Sequence, residues 1–280
     1  MLPIIKLGSQ AGARFKYSGI DSPEYCADPV HFGQWTLPIE YQYNSRGFRD
    51  QEWPEDLKSA VWCLGDSFTV GLGMPQDQTW PGLLESRTVN ISLDGASNGW
   101  ISRQACIVLE QLQPKVMVIH WSYSHRREKA LESVLLPIWN EYYGAIRDPA
   151  WPDRADYRSV DQLPQHVQTA LQQDARYNCW HSDFDIDLLR KLHYSETPTT
   201  VEQDLAYTQN CVDLLDQAAT TTKIIHSFIP AWHAGPAQVH STNTVLDPVV
   251  QSDLARDGYH YGPNTMQSLV AVIETVIRKS

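Results

Sequence analysis

Two short stretches of this 280-residue sequence combine residue types and spacing that could do covalent chemistry. The first is Gly65-Asp66-Ser67-Phe68-Thr69-Val70-Gly71, and the second is Asp257-Gly258-Tyr259-His260. A serine hydroxyl is a weak nucleophile and needs a base within hydrogen-bond reach. A histidine three residues after an aspartate can supply one. The carboxylate turns back to hold one ring nitrogen, and the other nitrogen faces the serine. The chemistry expected is nucleophilic catalysis, with Ser67 as nucleophile, His260 as base and Asp257 as its orienting acid. Taken alone, Gly-Asp-Ser is also an ordinary capped turn, and His260 an ordinary helix-start residue. The pairing is what argues for chemistry.

Ser67 must sit on a loop that projects it, and the flanking sequence provides one. Ala60-Val61-Trp62-Cys63-Leu64 is a short apolar run ended by Gly65, which suits a buried parallel strand. Val89–Leu93, Val116–Trp121 and Lys223–Ile229 read as three more strands, the last stopped by Pro230. Helices are predicted between and after them. Ile101, Ala105, Val108, Leu109 and Leu112 recur at helical spacing, as do Val201, Leu205, Val212, Leu215 and Ala219 after the capping pattern Thr199-Thr200-Val201-Glu202. Gly262-Pro263 opens a third, carrying Leu269, Val270, Ile273, Val276 and Ile277. Alternating strands and helices predict an α/β fold: a parallel sheet covered on both faces, with reactive groups at the strands' carboxyl ends.

Residues 1–57 are rich in Pro, Gly, Tyr and Asp and read as an N-terminal extension packed on a domain spanning 58–280. Residues 125–200 interrupt the alternation and read as an inserted lid. Its Trp139, Tyr142, Tyr143, Trp151, Tyr157, Tyr177 and Trp180 either form the lid's own core or stack on sugar rings.

Gly65-Asp66-Ser67-Phe68, followed far downstream by Asp257-x-x-His260, resembles the first and last sequence blocks of the SGNH, or GDSL-like, hydrolases. The resemblance covers roughly residues 58–280. It implies a three-layer αβα, flavodoxin-like domain and esterase, deacetylase or acyltransferase chemistry. By the same resemblance Gly95, in Asn90-Ile-Ser-Leu-Asp-Gly95, contributes an oxyanion-hole N–H. The family's third block, Gly-x-Asn-Asp, is replaced here by Trp121-Ser122-Tyr123-Ser124-His125. Ser124 stands where the oxyanion-binding asparagine is expected, and a hydroxyl can donate one hydrogen bond. Asn98 on the neighbouring loop is a further candidate donor. Loss of one such donor typically costs roughly 10²–10³ in turnover. The segment Asn44-Ser45-Arg46-Gly47-Phe48-Arg49-Asp50 is similar to a lead-in before such domains in proteins that modify bacterial surface polysaccharide. It points to an acylated carbohydrate as substrate.

The rest of the sequence mainly excludes. The formal net charge is -11, and the one dense basic cluster, Arg126-Arg127-Glu128-Lys129, carries its own counter-charge, so no nucleic acid is expected as partner. The five Cys include no C-x-x-C pair, which suggests neither disulfide framework nor zinc site. His120, His125, His226 and His233 fall near strand ends without metal-binding spacing. His181-Ser-Asp183-Phe-Asp185-Ile-Asp187 begins like a calcium loop, but Leu188 and Tyr194 occupy the positions that need Gly and Glu. Gly71-Leu72-Gly73 lacks the third glycine of a nucleotide fingerprint. No metal and no organic cofactor is expected. With neither a secretory leader nor a membrane-length apolar run, a cytoplasmic location is expected. Three functions stay open at this point: an esterase acting on an O-acyl ester, an O-acyltransferase using the same residues, and a weakly catalytic or inactive glycan-binding or structural protein. Oligomeric state is not legible.

Overall fold

The computed structural model describes residues 12, 14–17, 39–124, 201–229, 239–256 and 260–279. The 125–200 insertion, with its aromatic residues and its acidic stretch, lies outside the described residues, as do His125, His233 and Asp257. Among the described residues an antiparallel pair, β1 (Arg14–Tyr17) and β2 (Ile39–Gln42), precedes the main sheet. The main sheet contains β3 (Val61–Gly65), β4 (Thr88–Asn90), β5 (Val116–Trp121), β6 (Lys223–Phe228) and β7 (Thr244–Val245). Its spatial order is β4-β3-β5-β6-β7, and every pairing is parallel. This is the flavodoxin-like doubly wound order. Its topological switch point lies between β3 and β5, where such sheets open a crevice for ligands.

Among the described residues five α-helices accompany the sheet: α1 (Ser67–Val70), α2 (Trp80–Leu83), α3 (Asn98–Gln111), α4 (Val201–Ala218) and α5 (Pro263–Arg278). The strands are apolar on both faces because helices cover both. Trp62, Leu64, Met117, Ile119, Trp121 and Ile224 pack against Ile101, Ala105 and Val108 of α3 and Val212 and Leu215 of α4. The alternate positions Val61, Cys63, Val118 and Ile225 pack against Trp80 of α2 and Met266, Leu269 and Ile273 of α5. Each large side chain so buried contributes about 1.5–3 kcal/mol. The result is a three-layer α/β sandwich.

The sequence misses the shortest elements. β7 has two residues and α2 four, too few to display any period. The strand read as Val89–Leu93 is assigned only over Thr88–Asn90, although Ile91 N and Leu93 N continue the ladder onto Cys63 O and Gly65 O.

Candidate active site

Gly65 ends β3 and allows the backbone to turn where a side chain has no room. A Cβ there would lie 2.0 Å from Thr69 Oγ1 and 2.8 Å from the His120 carbonyl of β5. Asp66 then caps α1, its Oδ1 accepting from Phe68 N at 3.0 Å. Ser67 is the first helical residue, and Gly71, at φ 76°, closes the turn in a left-handed conformation that disfavours other residues.

His260 arrives from the far end of the chain. Ala255 N and Gln251 Nε2 both donate to its carbonyl, and an isolated bridge joins Leu254 to Tyr261. Gly262 offers α5 no side-chain cap. Asp253 does the capping from a distance, accepting from Asn264 N at 2.8 Å and from Thr265 N at 2.9 Å. Asp253 is therefore fully engaged by the helix start.

These two frames place Ser67 Oγ 2.8 Å from His260 Nε2, with both residues only 4% exposed. The Phe68 ring packs 4.7 Å from the imidazole and 4.7 Å from Tyr261. Asp257, expected to hold the other ring nitrogen, lies outside the described residues.

The three expected oxyanion donors occupy different settings. Gly95 sits half-buried at φ 74° in the turn after β4, just past the bond from Leu93 N to Gly65 O. Ser124 is half-buried in the loop after β5. Asn98 is fully buried, and its amide is already engaged. Its Nδ2 donates to Ser122 O and Thr208 Oγ1, both at 3.2 Å, and its Oδ1 accepts from Ser122 N at 2.8 Å. An amide nitrogen has two hydrogens, and both are used, so Asn98 holds the β5 loop instead of offering a free donor. Ser122 in turn donates to Asp66 Oδ2 at 2.5 Å. Asp66 thus links the serine turn to the loop that carries Ser124.

Behind the pair, His120 Nε2 lies 3.2 Å from Tyr261 OH and its Nδ1 lies 3.0 Å from Ser227 Oγ. Burial lowers the His120 pKa to about 3 and pushes the Tyr261 phenol well up, so this network is neutral at physiological pH. His226 points to the opposite sheet face. It accepts from Trp121 Nε1 and sits 3.3 Å from Asp216, so the two described strand-end histidines share no site. Among the described residues no group of three or more His, Cys, Asp or Glu side chains could hold a metal ion. Nor is any described helix long and apolar enough to cross a membrane.

The segment 44–50 contributes more than its sequence announces. Asn44 Oδ1 accepts from Arg46 N and Phe48 N, which tightens a turn that sends Phe48 into the core. The Arg49 guanidinium, 3% exposed, reaches the carbonyls of Val70 (2.9 Å), Gly71 (2.5 Å) and Met74 (2.5 Å). Asp50 Oδ2 accepts from Asn90 N at 2.9 Å, and Asn90 Nδ2 donates to Thr69 O. No local pattern predicts that an arginine will cap a turn more than twenty residues downstream.

Burial raises the Asp50 pKa from 3.8 to about 7, against the lowering effects of the Asn90 and Gln51 N–H groups and Arg87. The folded protein therefore retains a proton that the unfolded chain releases, and stability falls as pH rises between those two values. Asp50→Asn is expected to remove roughly 2–4 kcal/mol of this pH dependence. Melting temperatures of both proteins from about pH 4 to about pH 8 check it. Parallel curves would mean that Asp50 stays charged.

No protein-family model and no curated protein matches the sequence. The chain is similar to several solved structures. With TesA the TM-score is 0.41 at 13% identity, over 79% of this chain and 99% of that one. With the psychrotrophic esterase EstA from Pseudoalteromonas sp. the values are 0.37 and 12%, over 79% and 97%. With a carbohydrate acetylesterase family member from Sinorhizobium meliloti they are 0.34 and 12%, over 79% and 98%.

Proposed function

We propose that this protein is a serine ester hydrolase that removes an O-acyl group, from a carbohydrate, through an acyl-enzyme on Ser67. The observation that carries this reading is the 2.8 Å separation of Ser67 Oγ and His260 Nε2 at the switch point of the sheet. A serine and an imidazole in hydrogen-bond contact, both largely withdrawn from water, are the minimal unit for acyl transfer.

In this scheme Ser67 Oγ attacks the ester carbonyl carbon while its proton passes to His260 Nε2. The carbonyl π electrons move to oxygen, and the oxyanion is met by the Gly95 N–H and the Ser124 hydroxyl. Collapse of the tetrahedral intermediate breaks the bond to the alcohol, which leaves with the proton from His260. Water then attacks the acyl-serine with His260 as base, releasing the carboxylic acid and restoring Ser67. Asp257 would hold Nδ1 and favour the imidazolium. The carbohydrate substrate is supported by the lead-in at residues 44–50.

A fluorophosphonate probe tests the central step, because it labels only activated serines. Peptide mapping after labelling is expected to find the phosphonyl group on Ser67. Folded protein that takes up no label, or takes it up elsewhere, would overturn the assignment.

A further inference from the structure

The serine turn has little stability of its own. α1 is a single helical turn, and one turn fixes several backbone dihedrals for very few hydrogen bonds. What holds it is the loop that follows. Gly71 N and Leu72 N both donate to the carbonyl of Ser67 itself. That loop is gripped in turn from the N-terminal segment. Arg49 takes the Val70, Gly71 and Met74 carbonyls, and its guanidinium lies 3.6 Å over the Tyr41 ring. The Tyr41 hydroxyl accepts from Gly73 N at 2.7 Å. On its other side the same loop meets the histidine segment, because Gly73 O accepts from Arg256 N at 3.2 Å. A displacement of residues 70–74 would therefore move Ser67 and the chain entering the His260 turn together. Among the described residues no carboxylate pairs with Arg49, so this buried cation is matched by backbone carbonyls and an aromatic face. That arrangement suits the carboxyl end of a helical turn.

We propose that Arg49, seated on Tyr41, is a positioning residue for the Ser67–His260 pair, acting through the backbone of residues 70–74 and never touching substrate. The inference rests on the proposed serine hydrolysis. Lysine cannot replace Arg49 fully, because a single ammonium lacks the planar fork that spans separate carbonyls.

The test compares the parent with Arg49→Ala, Arg49→Lys and Tyr41→Phe, using p-nitrophenyl acetate and the fluorophosphonate probe below each variant's melting temperature. Misplacing reacting groups by about 1 Å costs on the order of 10²-fold. Arg49→Ala is expected to lose about that much in kcat and in labelling rate, with KM within about twofold. Arg49→Lys and Tyr41→Phe should each lose roughly three- to tenfold, in kcat again. Millimolar methylguanidine should restore part of the activity of Arg49→Ala and leave the parent unchanged, a rescue that a merely destabilised fold would not show. If Arg49→Ala does not fold, Arg49→Lys and Tyr41→Phe decide. Parent-like kcat in the folded variants, or a change confined to KM, overturns the inference. Absence of label on Ser67 in the parent instead overturns the proposed hydrolysis.

Discussion

Ser67→Ala is expected to lower hydrolysis of p-nitrophenyl acetate by at least roughly 10³-fold while leaving the melting temperature nearly unchanged. The substitution deletes one oxygen from a residue whose backbone, not its hydroxyl, builds the turn. The Asp66 cap and the bonds into the Ser67 carbonyl remain. His260→Ala should cost a similar factor, since an unassisted hydroxyl is a poor nucleophile. The double variant should be scarcely worse than either single one, because two groups 2.8 Å apart act as one unit. Initial rates for the three variants check this. Multiplicative losses would mean that the two side chains contribute independently. Unchanged activity in Ser67→Ala would remove this serine from the mechanism.

Gly65→Ala is expected to be strongly destabilising. The added carbon would meet Thr69 at 2.0 Å and the His120 carbonyl at 2.8 Å, and neither neighbour can retreat easily. Thr69 is fully buried, and His120 belongs to the strand paired with β3. Overpacking of this kind costs about 3 kcal/mol, which in a domain of this size lowers the melting temperature by roughly 6–12 °C. Adding Thr69→Ala should recover part of the loss. It removes the nearest atom, and among the described residues that hydroxyl has no hydrogen-bond partner to lose. Thermal melts of the two variants are the measurement. A Gly65→Ala protein melting within about 1 °C of the parent would show that β3 and β5 are farther apart at this point.

Much of the architecture was legible in advance because it depends on local pattern. The apolar runs at Val61–Gly65, Val116–Trp121 and Lys223–Phe228 became strands because only a sheet covered on both faces buries consecutive apolar residues. Helical spacing from Val201 and from Pro263 marked α4 and α5 to within a residue or two. The weak signals were the short ones. β7 and α2 exist because neighbouring elements hold them, which no window of sequence displays.

The candidate site divides along the same line. Ser67 and His260 could be chosen from residue type and spacing, since nucleophilic catalysis restricts which side chains can serve and where in a strand–loop–helix unit they must stand. Their contact, across 193 positions of chain, depends on the strand order and on Asp253 capping α5. Asn98 shows the converse. Its type and position suit an oxyanion donor, but Ser122 and Thr208 consume its amide hydrogens, and those partners come from other elements. Arg49 had no visible role until the fold laid residues 70–74 across it. Residue chemistry and local periodicity are written along the chain and can be read one window at a time. Which hydrogen-bonding group meets which is settled only by packing, because every buried polar atom must find its partner from whatever the other elements bring near.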